Sequence, residues 1–203
     1  MDARYVKSII ETGKVLDAQG ISWTYQSEGS SDVAVARELT ACGTSKTLGY
    51  DVSEFGLGAY TYEKVFWIDS DVAWTPGDFL RLLGSPLDVV GAAAMMDDGE
   101  TVTARLSGVG RNMTRDEVLS QGGVFEVEGI GFSFLSVRQG VFEAIGRPWF
   151  KYSDFPILDG QVVIHRGEDY SWCDRVRDTG FSIYLDPNVQ IAHMKQIGLV
   201  LGF

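Results

Sequence analysis

The stretch KVFWIDSDVAW, residues 64–74, constrains the fold more than any other part of the chain. Val65, Phe66, Trp67 and Ile68 form an unbroken apolar β-type run, the pattern of a strand covered on both faces. The run ends on Asp69-Ser70-Asp71. Two carboxylates at one strand end repel each other, and desolvation makes the repulsion worse. Either a cation or exposure to water must offset it. On the tripeptide alone, a solvated turn whose aspartates cap local backbone is the favoured reading.

Around this strand the periodicity alternates between helix and strand. Residues 5–19 carry Val6, Ile9, Ile10 and Leu16 near helical spacing, with Gly20 as a stop. The β-prone alternation of residues 21–25 predicts a strand. A turn rich in capping residues follows, then a helix over 32–41. Residues 43–60, rich in Gly, Ser and Thr, read as loop. Thr75-Pro76 starts a helix that ends near Gly84, since proline is tolerated at the first helical position. Residues 89–94 predict a second buried strand, and 101–107 with 124–128 predict strands of an antiparallel lobe. Residues 136–145 read as helix, 149–166 as irregular, 168–179 as a helix closed by Gly180, and 181–185 and 189–192 as short strands. Helices alternating with buried strands predict an α/β sheet, mostly parallel and flanked by helices.

The length of 203 residues fits one domain, and no repeat, low-complexity segment or linker divides it. No run approaches the ~18–20 apolar residues that span a bilayer. Met1 leads into a mixed polar segment rather than a secretory signal. Cys42 and Cys173, far apart in helix-like contexts, fit reduced thiols better than a disulfide framework. Together these predict a soluble, cytoplasmic protein of one domain over residues 1–203. A net charge of −11 argues against sequence-independent nucleic-acid binding and suits recruitment of a divalent cation, although acidity also simply aids solubility.

Four constellations could carry chemistry. Asp69 and Asp71 sit at the carboxyl end of a strand, where ligands of open α/β sheets gather. Alternate positions of an extended chain point the same way, so both could face one ion, and hard oxygen ligands favour Mg²⁺ or Mn²⁺. Glu168 and Asp169 open a helix, where they are ordinary dipole-stabilised caps or a general base for an acceptor hydroxyl. His193 follows a strand-like run. Such a histidine is more often structural than a ligand, yet it could complete a metal shell begun by carboxylates. Gly129 and Gly131 precede an aromatic-rich strand and mark either a bulge or a close approach of backbone to a ligand. Taken singly, each is weak.

Their order is more specific. The stretches KVFWIDSDVAWTPGDFLRLL, EGIGFSFLSVRQGVFEAIG and GEDYSWCDRVRDTGFSIYLDPNVQIAH, in that sequence, resemble the GT-A glycosyltransferases, which use nucleotide sugars. The resemblance, including the helix from Ser30 to Glu38, covers most of residues 5–195. It implies a GT-A-like fold in which Asp69, Ser70 and Asp71 hold a Mn²⁺ or Mg²⁺ and the diphosphate and ribose of a UDP- or GDP-sugar. His193 becomes the third protein ligand to that metal, Asp169 or Glu168 the base of an inverting transfer, and Gly129 to Phe132 the lining of the acceptor and sugar pocket. Arg37 sits near the donor phosphates or braces the aspartates. Trp67 and Trp149 become packing or sugar-stacking residues, with packing preferred for Trp67.

The acceptor hydroxyl is left open: glycan, small molecule, protein or modified nucleic acid. Members of this fold usually begin with a strand and a turn that contacts the base, and this chain begins at the following helix. The expectation is that either the reading frame is truncated or another segment fills that place, with the apolar tail 197–203 as one candidate that could instead pair chains into a homo-oligomer. Two other classes remain beside the leading one. One is a nucleotide-sugar-binding protein of the same fold without turnover. The other is a nucleotidyltransferase, against which the absence of a Gly-rich phosphate loop near the N-terminus counts.

Overall fold

The computed structural model describes residues 2–42, 62–157 and 162–194. In chain order the elements are α1 (Ala3–Ala18), α2 (Val33–Cys42), β1 (Lys64–Ile68), β2 (Val72–Ala73), α3 (Pro76–Leu83) and β3 (Val89–Gly91). They continue with β4 (Thr101–Arg105), β5 (Asn112–Thr114), α4 (Arg115–Ser120), β6 (Phe125–Val127), β7 (Gly129–Ile130) and β8 (Phe134–Arg138). The last are α5 (Val141–Ile145), β9 (Ser153–Ile157), β10 (Val162–Arg166), α6 (Glu168–Asp178), β11 (Ile183–Leu185) and β12 (Ala192–His193). The expected loop over 43–60 and the tail 197–203 lie outside the described residues.

The main sheet has the order β1-β8-β3-β11-β6. Its residues alternate between two apolar clusters, as a period of two requires. Trp67, Val89, Leu135, Val137, Ile183 and Leu185 face one cluster, with Phe132, Phe142, Trp149, Trp172 and Val176. Phe66, Ile68, Val90, Phe134 and Tyr184 face the other, with Tyr5, Trp74, Leu82 and Val189. Helices therefore cover both faces, and the α/β class holds.

The expected parallel pairing does not. Among the described residues only β3 and β11 pair in parallel; β1–β8, β3–β8 and β6–β11 are antiparallel. The reason is the insertion of β8 between β1 and β3. These two strands still run in the same direction, and β11 shares it, so their carboxyl ends lie along one edge. Sequence periodicity sees strands, whereas direction depends on which distant strand intervenes.

Other expectations also change. Residues 136–145 are not one helix: β8 is a central strand, and Gly140 at φ +101° turns the chain into the short α5. Residues 21–25 form no strand. Trp23 instead lays its ring against Gly13 and donates from Nε1 to Asp17 Oδ1 at 2.9 Å. The span 149–166 contains the antiparallel hairpin β9–β10. The expected lobe is real for β4, which pairs β5 and β7, but β6 belongs to the main sheet. The helix at Thr75-Pro76 has the expected start, with a capping box between Thr75 and Asp78.

Candidate functional site

Strand β1 ends at Ile68, and the Asp69 backbone N–H donates to Ser133 O at 3.2 Å just ahead of β8. The turn through Asp69, Ser70 and Asp71 is pinned from the other side by α1. Ser8 Oγ donates to Trp74 O at 2.7 Å and accepts from Trp74 N–H at 3.1 Å, while Trp74 Nε1 donates to Thr12 Oγ1 at 3.0 Å. Tyr5, Ser8 and Thr12 thus make a buried stripe on α1 that fixes the chain three residues past Asp71. Polar residues at helical spacing on an otherwise core-facing stripe were the sequence signal for this anchor, and periodicity of apolar residues alone misses it.

Arg37 reaches the turn from α2. That helix is capped by Asp32, whose Oδ1 accepts from Ala34 N–H at 2.9 Å and Val35 N–H at 3.2 Å. Glu38 ties the helix to the following layer by accepting from Trp149 N–H at 2.9 Å and Phe150 N–H at 3.0 Å. With α2 so fixed, Arg37 Nη2 donates to Asp69 Oδ1 at 3.0 Å and Nη1 donates to Glu168 Oε1. Its guanidinium also lies over the Phe132 ring, 4.9 Å from the centroid. One arginine therefore joins three of the sequence motifs: the aspartate pair, the Gly-x-Gly-Phe segment and the acidic pair that opens α6.

His193 arrives on β12, which pairs with β2 so that His193 stands opposite Val72. Met194 N–H donates to Asp71 O at 2.7 Å and locks the register. His193 Nε2 comes to 3.3 Å from Asp71 Oδ2, and Nδ1 lies 3.4 Å from the Met95 carbonyl. If Nδ1 carries its proton toward that carbonyl, the Nε2 lone pair faces a carboxylate oxygen. Two acceptors facing each other call for a proton or a cation between them.

The fit of a divalent cation follows from the donor set. Two atoms bound side by side on one small ion, each at about 2.1 Å, stand about 3 Å apart. The 3.3 Å between Asp71 Oδ2 and His193 Nε2 is close to that. Among the described residues no three His, Cys, Asp or Glu side chains converge on one ion. A pair of protein ligands suits Mg²⁺ or Mn²⁺, which keep positions for phosphate oxygens and water. Asp69 differs from the expectation of a shared ion, because its Oδ1 is taken by Arg37.

Glu168 and Asp169 start α6. Burial pushes the Glu168 carboxyl above the ordinary range, and Arg37 pulls it back. Burial also raises Asp169, opposed by the Tyr170 N–H, which donates to Asp169 Oδ1 at 2.7 Å, and by the charge of Arg37. The adjacent carboxylates are thus unequal. Burial raises both, but Glu168 is held by a guanidinium, while Asp169 makes no ion pair among the described residues.

Gly129 and Gly131 lie beside this helix and β4. A Cβ at Gly129 would stand 2.6 Å from Tyr170 Cδ1, and one at Gly131 would stand 3.0 Å from Thr103 Cβ. The space these glycines leave is taken by neighbouring side chains. Trp67 packs between Phe132, Phe142 and Phe150, as expected for a core residue. Trp149 is buried as well, with Nε1 donating to Phe142 O at 3.0 Å, so its ring stacks on no sugar. His165 pairs with Asp154 at 2.6 Å on the exposed β9–β10 hairpin, away from the aspartate turn's hydrogen bonds.

No family model matches the chain, and no curated protein matches it. Among solved structures, the crystal structure of A197 from STIV is similar, with a TM-score of 0.49 and 16% identity. That similarity covers 97% of this chain and 91% of that one. The functional reading therefore stands on the geometry of the site. No described helix is long and apolar enough to cross a membrane.

Proposed function

We propose that this chain is a metal-dependent glycosyltransferase with a GT-A-like site, moving a sugar from a nucleoside-diphosphate sugar to an acceptor hydroxyl with inversion. The observation that carries the reading is the contact of Asp71 with His193, set beside the Asp69–Arg37–Glu168 bridge at the carboxyl edge of β1. Asp71 and His193 would hold Mn²⁺ or Mg²⁺. A divalent cation there supplies charge that stabilises the departing diphosphate.

The chain's own residues do the rest. Asp169, made more basic by burial, takes the proton of the acceptor hydroxyl as that oxygen bonds to the anomeric carbon. The bond from that carbon to the diphosphate oxygen breaks, and its electron pair leaves with the nucleoside diphosphate. Arg37 holds Glu168 and Asp69 fixed, so that Asp169 is the acidic-pair carboxylate free to accept a proton. Orientation of this kind is what converts an encounter into a near-attack geometry.

A panel of UDP- and GDP-sugars, assayed with Mn²⁺ for transfer and for donor hydrolysis, tests the proposal. Turnover that stops with EDTA and with Asp71→Ala supports it. Metal-dependent binding of a nucleotide sugar without turnover on any acceptor would make the chain a binding protein of the same site. Turnover that survives both EDTA and Asp71→Ala would reject the metal role.

A further inference from the structure

Arg105 ends strand β4, and its guanidinium lies 4.2 Å from the centroid of the Tyr170 ring. Its Nε donates to Asn112 Oδ1 at 2.9 Å, and the same oxygen accepts from Tyr170 Oη at 3.2 Å. The Asn112 amide is itself oriented, since Nδ2 lies 2.8 Å from Met96 Sδ. Backbone holds the strand at this point: Arg105 stands opposite Gly129 on β7, and its carbonyl accepts from Glu128 N–H at 2.7 Å. Gly129 is what lets the Tyr170 ring reach this position at all, because a Cβ there would collide with it.

The result is a positioned, half-buried guanidinium that makes no ion pair among the described residues. In a chain of net charge −11 such an arginine is conspicuous. Of its five N–H groups, Nε is used by Asn112, and the Tyr170 hydroxyl is a second hydrogen-bond partner. The remaining fork matches a carboxylate or a phosphate in bidentate geometry. Its platform, Tyr170, directly follows Asp169 and donates its backbone N–H to that carboxylate. Arg105 and the acidic pair are thus linked through adjacent residues at the start of α6, Tyr170 and Asp169, whereas Arg37 faces Asp69 and Glu168.

We infer that Arg105 is a specificity residue that binds an anionic group, carboxylate or phosphate, on the acceptor. In naming an acceptor the inference rests on the glycosyltransferase reading, but anion binding at Arg105 can be measured without turnover. Three probes serve: methyl β-glucoside as the neutral sugar, methyl β-glucuronide for carboxylate and glucose 6-phosphate for phosphate. Calorimetric titration of the wild-type protein should show at least one anionic probe binding about tenfold or more tightly than the neutral sugar. Arg105→Gln should erase that preference and leave Mn²⁺-dependent UDP binding unchanged, while Arg105→Lys should keep part of it.

Equal binding of all three probes by the wild-type protein would overturn the inference, with no variant needed. So would a preference that persists in a folded Arg105→Gln. Failure of UDP to bind with Mn²⁺ would instead strike the glycosyltransferase reading, and the ranking of the three sugars would still decide the role of Arg105.

Discussion

Asp69 and Asp71 are two residues apart and meet opposite kinds of partner. Asp69 faces the guanidinium of Arg37, which is itself held by Glu168. Asp71 faces His193, an imidazole of the kind that can ligate a metal. The first arrangement is a brace and the second a socket. The difference teaches that Asp69 is relieved by a fixed cation, whereas on the proposed function Asp71 would be relieved by an exchangeable one. Stability and metal binding should accordingly separate when each side is broken.

The largest expected effect is on chemistry at the socket. Asp71→Ala should lower metal-dependent transfer on the order of 10³-fold, roughly 4 kcal/mol of transition-state stabilisation. His193→Ala should follow in the same direction. Asp71 is 49% exposed, so Asp71→Ala should cost folding stability only about 1 kcal/mol or less. Chemical denaturation beside the transfer assay checks both.

Next comes stability at the brace. The Arg37 side chain is 11% exposed and that of Glu168 9%, so Arg37→Ala strands an almost buried carboxylate. A loss of about 3 kcal/mol is expected, lowering the thermal midpoint by roughly 6–12 °C for a chain of this size. A variant as stable as wild type would show that the bridge does not hold the turn.

A smaller effect is a slope with pH. Folded Glu168 and Asp169 have carboxyls raised by burial, so between their ordinary and raised values the folded protein binds more protons than the unfolded chain. Stability from these groups is therefore greatest below the ordinary carboxylate range and falls as pH rises through the raised values. Arg37 opposes both shifts, so removing it should steepen the fall and move the activity limb upward in pH. Asp169→Asn should flatten the stability slope, as read from thermal midpoints across mildly acidic pH.

The two sides also differ in how far the sequence reveals them. Asp69, Asp71, Glu168 and Asp169 could be marked because carboxylates at a strand end or helix start are local features. The partnership of Asp71 with His193 followed from motif order and a short strand. Arg37 was placed near the aspartates without its second partner, because a bridge between α2 and α6 leaves no periodic trace. Arg105 lies in the alternating TVTAR stretch, where an arginine looks like any solvent-facing strand residue; only the Tyr170 platform distinguishes it. Strand β8 misled for a related reason. Its Phe134, Leu135 and Val137 are buried on both faces of a central strand, and such a run lacks the alternation that separates strand from helix.

The most direct measurement is calorimetric titration of UDP into the protein with and without Mn²⁺, in wild type, Asp71→Ala and Arg37→Lys. If the socket holds the cation, UDP binds wild type only with Mn²⁺, the dependence disappears in Asp71→Ala, and Arg37→Lys retains it with weaker folding. UDP binding that is indifferent to Mn²⁺ in wild type, or that keeps its metal dependence in Asp71→Ala, would contradict the account.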